Sequence, residues 1–227
     1  MIKIYSLAIL LSLSTVFAQA QFVTGQRVLG GNIGFSTNKR ENISNGISTT
    51  NSTAFLLSPS LGSFTKPNVL RGVGLSYGYS IQKSEYSLNN STQRIPNHLI
   101  GINLFSQRFF SLSEKIFFTT NTGGAVTYSF GKNINKNNNN VNETKSSGYG
   151  IAINFAPGLS YRLTQRLLFD AYLSNLINVR YSHTETKYNN PPNMDTRSTH
   201  NNFSISSSLS NTSLGNVGLG FRWLLKK

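Results

Sequence analysis

Between Val69 and Gln82 the chain reads VLRGVGLSYGYSIQ, which sorts into two interleaved lists. Every second residue from Val69 gives Val69, Arg71, Val73, Leu75, Tyr77, Tyr79 and Ile81, while the other register is built from Leu70, Gly72, Gly74, Ser76, Gly78, Ser80 and Gln82. One list is large and mostly apolar; the other is small or polar. A period of two belongs to a β-strand, whose successive side chains leave on opposite faces. A soluble sheet would bury the large list in its core. A membrane barrel would turn it outward to lipid and leave the small list to line a narrow interior. The rest of the chain decides between them.

The chain opens MIKIYSLAILLSLSTVFAQA, with Lys3 as the only charge before an apolar run that ends in Ala18-Gln19-Ala20. This reads as a secretory signal peptide over residues 1–20, cleaved between Ala20 and Gln21. Its apolar run falls short of the roughly 18 to 20 residues of a membrane-spanning helix, and no later segment is longer. If there is a membrane, strands must cross it. Charged residues make up 12% of the chain, about half of what a soluble domain carries. A lipid-facing band that admits no charge accounts for the deficit. With 0 Cys there is no disulfide framework, which a closed sheet of this size can do without.

The alternation recurs, separated by polar stretches that are long and short in turn. Long Asn/Ser/Thr-rich loops are expected near 40–53, 83–95, 132–147 and 182–200. Short turns are expected at 65–68, 111–115 and 163–166. Four loops and three turns predict eight strands, near 27–38, 53–63, 69–82, 97–109, 116–131, 148–162, 167–181 and 203–224. The sixth is cleanest, with Tyr149, Ile151, Ile153, Phe155, Leu159 and Tyr161 on one face and Gly150, Ala152, Asn154, Ala156, Gly158 and Ser160 on the other. In the fourth, Leu99, Phe105 and Arg108 break the sorting, and SISSSLSNTS suggests a bulge near the start of the last.

Long strands, segregated loops and aromatics at the ends of the large-residue face describe an all-β, eight-stranded antiparallel up-and-down transmembrane barrel over residues 21–227. The expectation is therefore that Tyr77 and Tyr79 face lipid and that Gly74 and Gly78 face the barrel axis. An eight-stranded interior is narrow enough for side chains to fill, which predicts no sizeable open pore. A secreted soluble β-sandwich is the alternative, with shorter strands and no segregation of loops.

The run LLSPSLGSFTKPNVLRGVGLSYGYS and the closing GNVGLGFRW resemble the outer-membrane β-barrel domain family of Gram-negative bacteria. The resemblance covers essentially the mature chain and rests on residue types, so it speaks to architecture more than to function. It implies a small outer-membrane protein of envelope or surface-interaction type, with long loops extracellular and termini periplasmic. Such chains often finish on the terminal aromatic; here Leu224-Leu225-Lys226-Lys227 follows Trp223.

Motifs for chemistry are few. The histidines His98, His183 and His200 are all expected at the long-loop rim. With Glu185, Ser182 and Ser198 a Ser-His-acid set can be drawn, which would suit an enzyme modifying lipopolysaccharide or phospholipid; geometry, not sequence, defines such a set. No pair of histidines has metal-ligand spacing, and no cofactor is expected. Gly72-Val73-Gly74 lacks the third glycine of a nucleotide loop and sits mid-strand, where glycine means close packing. The Asn-Ile-Ser sequon at Asn42 would carry no weight in the bacterial chain that the resemblance implies, and the Asn137–Asn140 run reads as a solvated loop tip.

The formal net charge is +14, and removing Lys3 with the leader takes one positive charge from it. In the outer half, ten basic residues between Lys39 and Arg197 face five acidic ones. The basic residues are dispersed without a stacking platform, which argues against nucleic acid. Anionic lipopolysaccharide is the simpler partner, with Lys83, Arg94, Lys132 and Arg180 as candidate contacts and no surface ligand indicated. Loop solvation explains the same charges equally simply. Inside the strands, Asp170 takes the inward register, and Arg162 and Arg222 flank it on the neighbouring strands. An enclosed carboxylate needs a partner, so one or both should meet it.

Overall fold

The computed structural model describes residues 22–42, 48–86, 91–137, 140–173, 176–190, 194–207 and 217–226. The expected leader and its Ala20-Gln21 junction lie outside them. Ten antiparallel strands follow in chain order: β1 (Arg27–Asn42), β2 (Ser48–Lys66), β3 (Val69–Tyr86), β4 (Ser91–Ser111), β5 (Ile116–Asn137), β6 (Asn140–Arg162), β7 (Leu167–Leu173), β8 (Ile177–Asn190), β9 (Met194–Ser207) and β10 (Val217–Leu224). Strands β1 to β6 pair each with the next. The C-terminal part of β6 then pairs with β7 and its N-terminal part with β8. β7 pairs with β10, β8 with β9, and β10 returns to β1. The ring thus closes over eight strand positions although the strands among the described residues number ten.

The difference from the expected eight lies in extra residues. Gly158 pairs with Tyr172 and Phe155 with Ile177, so three steps along β6 are matched by five on its neighbour. Likewise Leu173 pairs with Val217 and Ile177 with Ser207, where four steps face ten. Surplus residues cannot stay in a ladder, and each of the last two strand positions divides in two. In SISSSLSNTS, where a bulge is expected, the first four residues complete β9, and residues 208–216 lie outside the described set.

The expected long loops are mostly strand. β5 and β6 stay in register from Ile116↔Tyr161 to Asn137↔Asn140, leaving only 138 and 139 between them. Threonine is β-branched and alternating polar side chains cost nothing in a ladder wet on both faces, so the register set lower down simply continues. The short turns fall where expected. Asn68 takes a left-handed backbone, φ 60°, which asparagine tolerates. The other two share one design: Ser113 Oγ accepts from Ile116 N at 3.1 Å and Thr164 Oγ1 from Leu167 N at 3.0 Å.

The two faces are the reverse of a soluble protein's. Outward-facing Leu75, Ile153 and Val126 are 60%, 61% and 58% exposed, and Tyr77 is exposed while Gly74 is buried. The buried cluster sits inside the ring at its short-turn end and comprises Phe22, Val28, Phe64, Leu70, Phe109, Phe117, Leu168 and Leu224. In β4, Leu99 and Phe105 take the inward register and Arg108 the outward one. Gly72 makes room for Phe105, since a Cβ there would lie 2.6 Å from the Phe105 ring. Leu224, beyond the terminal aromatic, pairs with Val28, and Leu225 N donates to Arg27 O at 2.9 Å, so these residues belong to the wall.

Candidate functional site

Three layers follow from the short-turn end to the long-hairpin end. The first is a plug. Phe22, just before β1, turns into the ring: its N–H donates to Asn68 Oδ1 at 3.3 Å and its ring stacks on Phe64 with centroids 4.6 Å apart. Phe109 and Phe117 tilt against it at 4.9 and 5.1 Å. No period-two signal includes Phe22, so the alternation could not have revealed it.

Beside the plug lies a polar cluster. Asp170 is buried; its Oδ2 is 3.0 Å from Arg222 Nε. The Ser160 hydroxyl donates to the other carboxylate oxygen, and the Arg222 guanidinium donates to Gln107 Oε1. Arg222 also lies over the Phe109 ring, 5.8 Å from its centroid. Arg162 is set apart from this pair: its guanidinium lies over Phe22 and Phe117, at 5.0 and 5.2 Å. The cation–π surface of the plug competes successfully for it. Side chains from β4, β6, β7 and β10 are thereby tied together across the interior.

The second layer is a chamber of about 370 Å³. Its wall includes Asn32, Ser60, Ser76, Asn103, Asn121 and Asn154, with Arg222 also bordering it. The interior is therefore filled at the plug and hollow above it, which corrects the expectation of a filled interior. Serine and glycine on the inward register are too small to meet across the ring. Arg180 belongs to this inner side: it pairs with Ala152 while its neighbour Tyr181 pairs with outward Ile151. This register removes it from the outward rim set.

The third layer is the outward surface above the apolar band. Directly opposite residues share a face, and one row runs Phe35, Phe55, Tyr79, His98, Phe130. His98 stacks on Phe130 with centroids 5.1 Å apart and hydrogen-bonds to Tyr77 Oη through Nδ1 at 3.0 Å. The next row runs Tyr128, Tyr149, His183, Asn201. His183 stacks on Tyr149 at 5.1 Å, and its Nδ1 is 2.7 Å from Asn201 Oδ1. Strand alternation puts Ser182 and Ser198 on the face opposite His183 and Glu185, and His200 with the serines. Glu185 is held by Arg197 at 3.1 Å and Lys187 at 3.6 Å. The Ser-His-acid set is not assembled. Among the described residues no group of three His, Asp or Glu side chains could hold a metal.

Lys83 and Arg94 stand directly opposite one another, and Lys132 pairs across β5–β6 with Lys145. Lys132 also holds Glu143 at 3.0 Å. At the edge of β1, Lys39 and Glu41 lie 2.6 Å apart; their hydrogen bond and mutual attraction raise the lysine and lower the glutamate from their ordinary values.

No family model and no curated protein matches the chain. Among solved structures, an outer membrane protease OmpT from Escherichia coli is similar over 93% of this chain and 100% of its own, at 9% identity and a TM-score of 0.32. The chain is also similar to a major outer membrane protein from Thermus thermophilus, with 10% identity, a TM-score of 0.46, and coverage of 88% of this chain and 99% of that one.

Proposed function

We propose that this chain is a small outer-membrane barrel with eight strand positions, exported by its leader, and that it serves the envelope as a non-enzymatic structural or surface-interaction protein. The observation that carries this is the outward face. Along β6, Tyr149 and Tyr161 are exposed and bound an apolar stretch that includes Ile151, Ile153 and Leu159. The twelve steps from Tyr149 to Tyr161, at about 3.3 Å each and tilted by roughly 40°, give a height of about 30 Å, the thickness of a bilayer's hydrocarbon core. A soluble protein does not expose a continuous apolar belt of this extent. The hairpins beyond the belt carry the polar surface and point outward from the cell, with the plug and both termini toward the periplasm. A non-catalytic role is supported by His98 and His183, whose ring contacts commit them to the aromatic belt.

The test is cell fractionation with gel mobility. The protein should accompany outer membranes and migrate differently with and without boiling; recovery in the soluble fraction with no heat shift refutes the barrel. Mass spectrometry of lipid A from cells with and without the protein should show one composition, and a changed acyl pattern would establish an enzyme instead.

A further inference from the structure

Above the outer aromatic belt, strand register builds an arrangement that no single strand contains. Lys132 on β5 pairs with Lys145 on β6, Lys145 with Lys187 on β8, and Lys187 with Arg197 on β9. Four cations thus stand side by side in one row, on one face, across four consecutive strand positions. Directly opposed like charges, with Cβ atoms about 5 Å apart, destabilise a ladder. Among the side chains described, two carboxylates enter the row: Glu143 on Lys132, and Glu185 shared between Lys187 and Arg197. Lys145, flanked on both sides by cations, is exposed and has no acidic group within ion-pair distance among the described residues. One pleat further out, Lys83 and Arg94 form a second opposed pair on the same face.

We infer that this ladder is a binding site for the phosphate groups of an outer-leaflet lipid headgroup. The inference rests on the membrane reading above, which sets the height: the row is two residues beyond Phe130 on β5 and four beyond Tyr149 on β6, about 7 to 13 Å along the strands, in the headgroup layer outside the belt. Ammonium groups and the Arg197 fork donate charge-assisted hydrogen bonds to phosphate oxygens, and several phosphates on one headgroup relieve the repulsion along the row together. A single free phosphate spans one lysine pair at most. Arg180, on the inner register, takes no part.

The full chain is refolded into phosphatidylcholine vesicles without and with purified lipopolysaccharide, with dephosphorylated lipopolysaccharide, or with inorganic pyrophosphate. The readout is the midpoint of the heat-induced gel shift. Saturating lipopolysaccharide should raise it by roughly 5 to 10 °C, while the dephosphorylated form and pyrophosphate should not. Lys145→Gln/Lys187→Gln should lose most of that rise and match or exceed the unmodified chain in phosphatidylcholine alone, because its own repulsion is gone. Lys115→Gln/Arg166→Gln, at the short-turn end, should keep the full rise. An equal rise in the ladder variant or with dephosphorylated lipid overturns the site. An equal rise with pyrophosphate overturns the lipid source in favour of free phosphate. Failure of the unmodified chain to insert refutes the barrel reading itself, whereas insertion with no response to lipopolysaccharide refutes the ladder alone.

Discussion

Asp170→Ala removes the carboxylate at the centre of the interior cluster. It leaves behind the Arg222 guanidinium, whose side chain is 11% exposed, with Gln107 and the face of Phe109 as its remaining neighbours. Breaking one side of a buried ion pair costs about 3 to 5 kcal/mol. Arg222 borders the chamber, where water can reach it, so the lower end applies. About 3 kcal/mol corresponds to a midpoint lowered by roughly 6 to 12 °C in a chain of this length. Adding Arg222→Met removes the orphaned charge, and the double variant should recover most of the loss, giving a coupling of about 2 kcal/mol. Glu185→Ala, which breaks two exposed bridges, should cost less than about 1 kcal/mol. All four proteins are compared by the heat-induced gel shift and by far-ultraviolet melting in detergent, at one scan rate because barrel unfolding is slow. If Asp170→Ala melts within about 2 °C of the unmodified chain, and the double variant melts no higher than the single, the cluster contributes nothing and the reasoning fails.

Other expectations can be checked as directly. Planar-bilayer recordings should show no current of general-porin size, and Phe22→Ala/Phe117→Ala, which thins the plug beneath the chamber, should introduce at most a small leak; a conducting unmodified chain would show that the plug does not seal. Gly72→Val should disrupt the β2–β3 ladder, because a Cβ there meets the Leu61 carbonyl and the Phe105 ring, whereas Gly124→Ala meets only the Ala152 carbonyl at 3.8 Å and should fold normally by gel shift. The Lys39–Glu41 contact depends on an ionised carboxylate whose pKa lies below its ordinary 4.5. It is present above that range and lost as pH falls through the lowered value, so carboxyl chemical shifts should show Glu41 titrating low and Lys39→Gln should return it upward.

What could be read from the chain was what strand periodicity encodes. The sorting of Val69 to Gln82 and of Tyr149 to Tyr161 onto two faces depends only on residues within one strand, and a side chain cannot leave its face without a bulge. The hairpins were not legible, since Asn, Ser and Thr are the residues of loops as well as of ladders wet on both sides. Arg180 was placed at the rim by its distance along the chain, but its face is set by parity with Tyr181. The cation ladder is a property of inter-strand register: nothing in the sequence around Lys145 announces Lys132 on one side and Lys187 on the other. Phe22 reaches the plug because Asn68 and the edge of β2 hold the segment before β1, a contact no local pattern records.

The seam that closes the ring has a consequence for how the barrel is made. Among the described residues β1 meets β2 over sixteen paired positions and β10 over six, from Val28↔Leu224 to Ile33↔Leu219. The hairpins can each zip from their own turns, at small entropic cost, whereas the seam must bring together the two ends of the chain. Its rungs are therefore the last to form and the first to part. An assembly route that follows this order passes through an open, curved sheet with β1 and β10 as raw edges, and on the membrane reading proposed above whatever escorts the protein there must cover those two edges until they find each other.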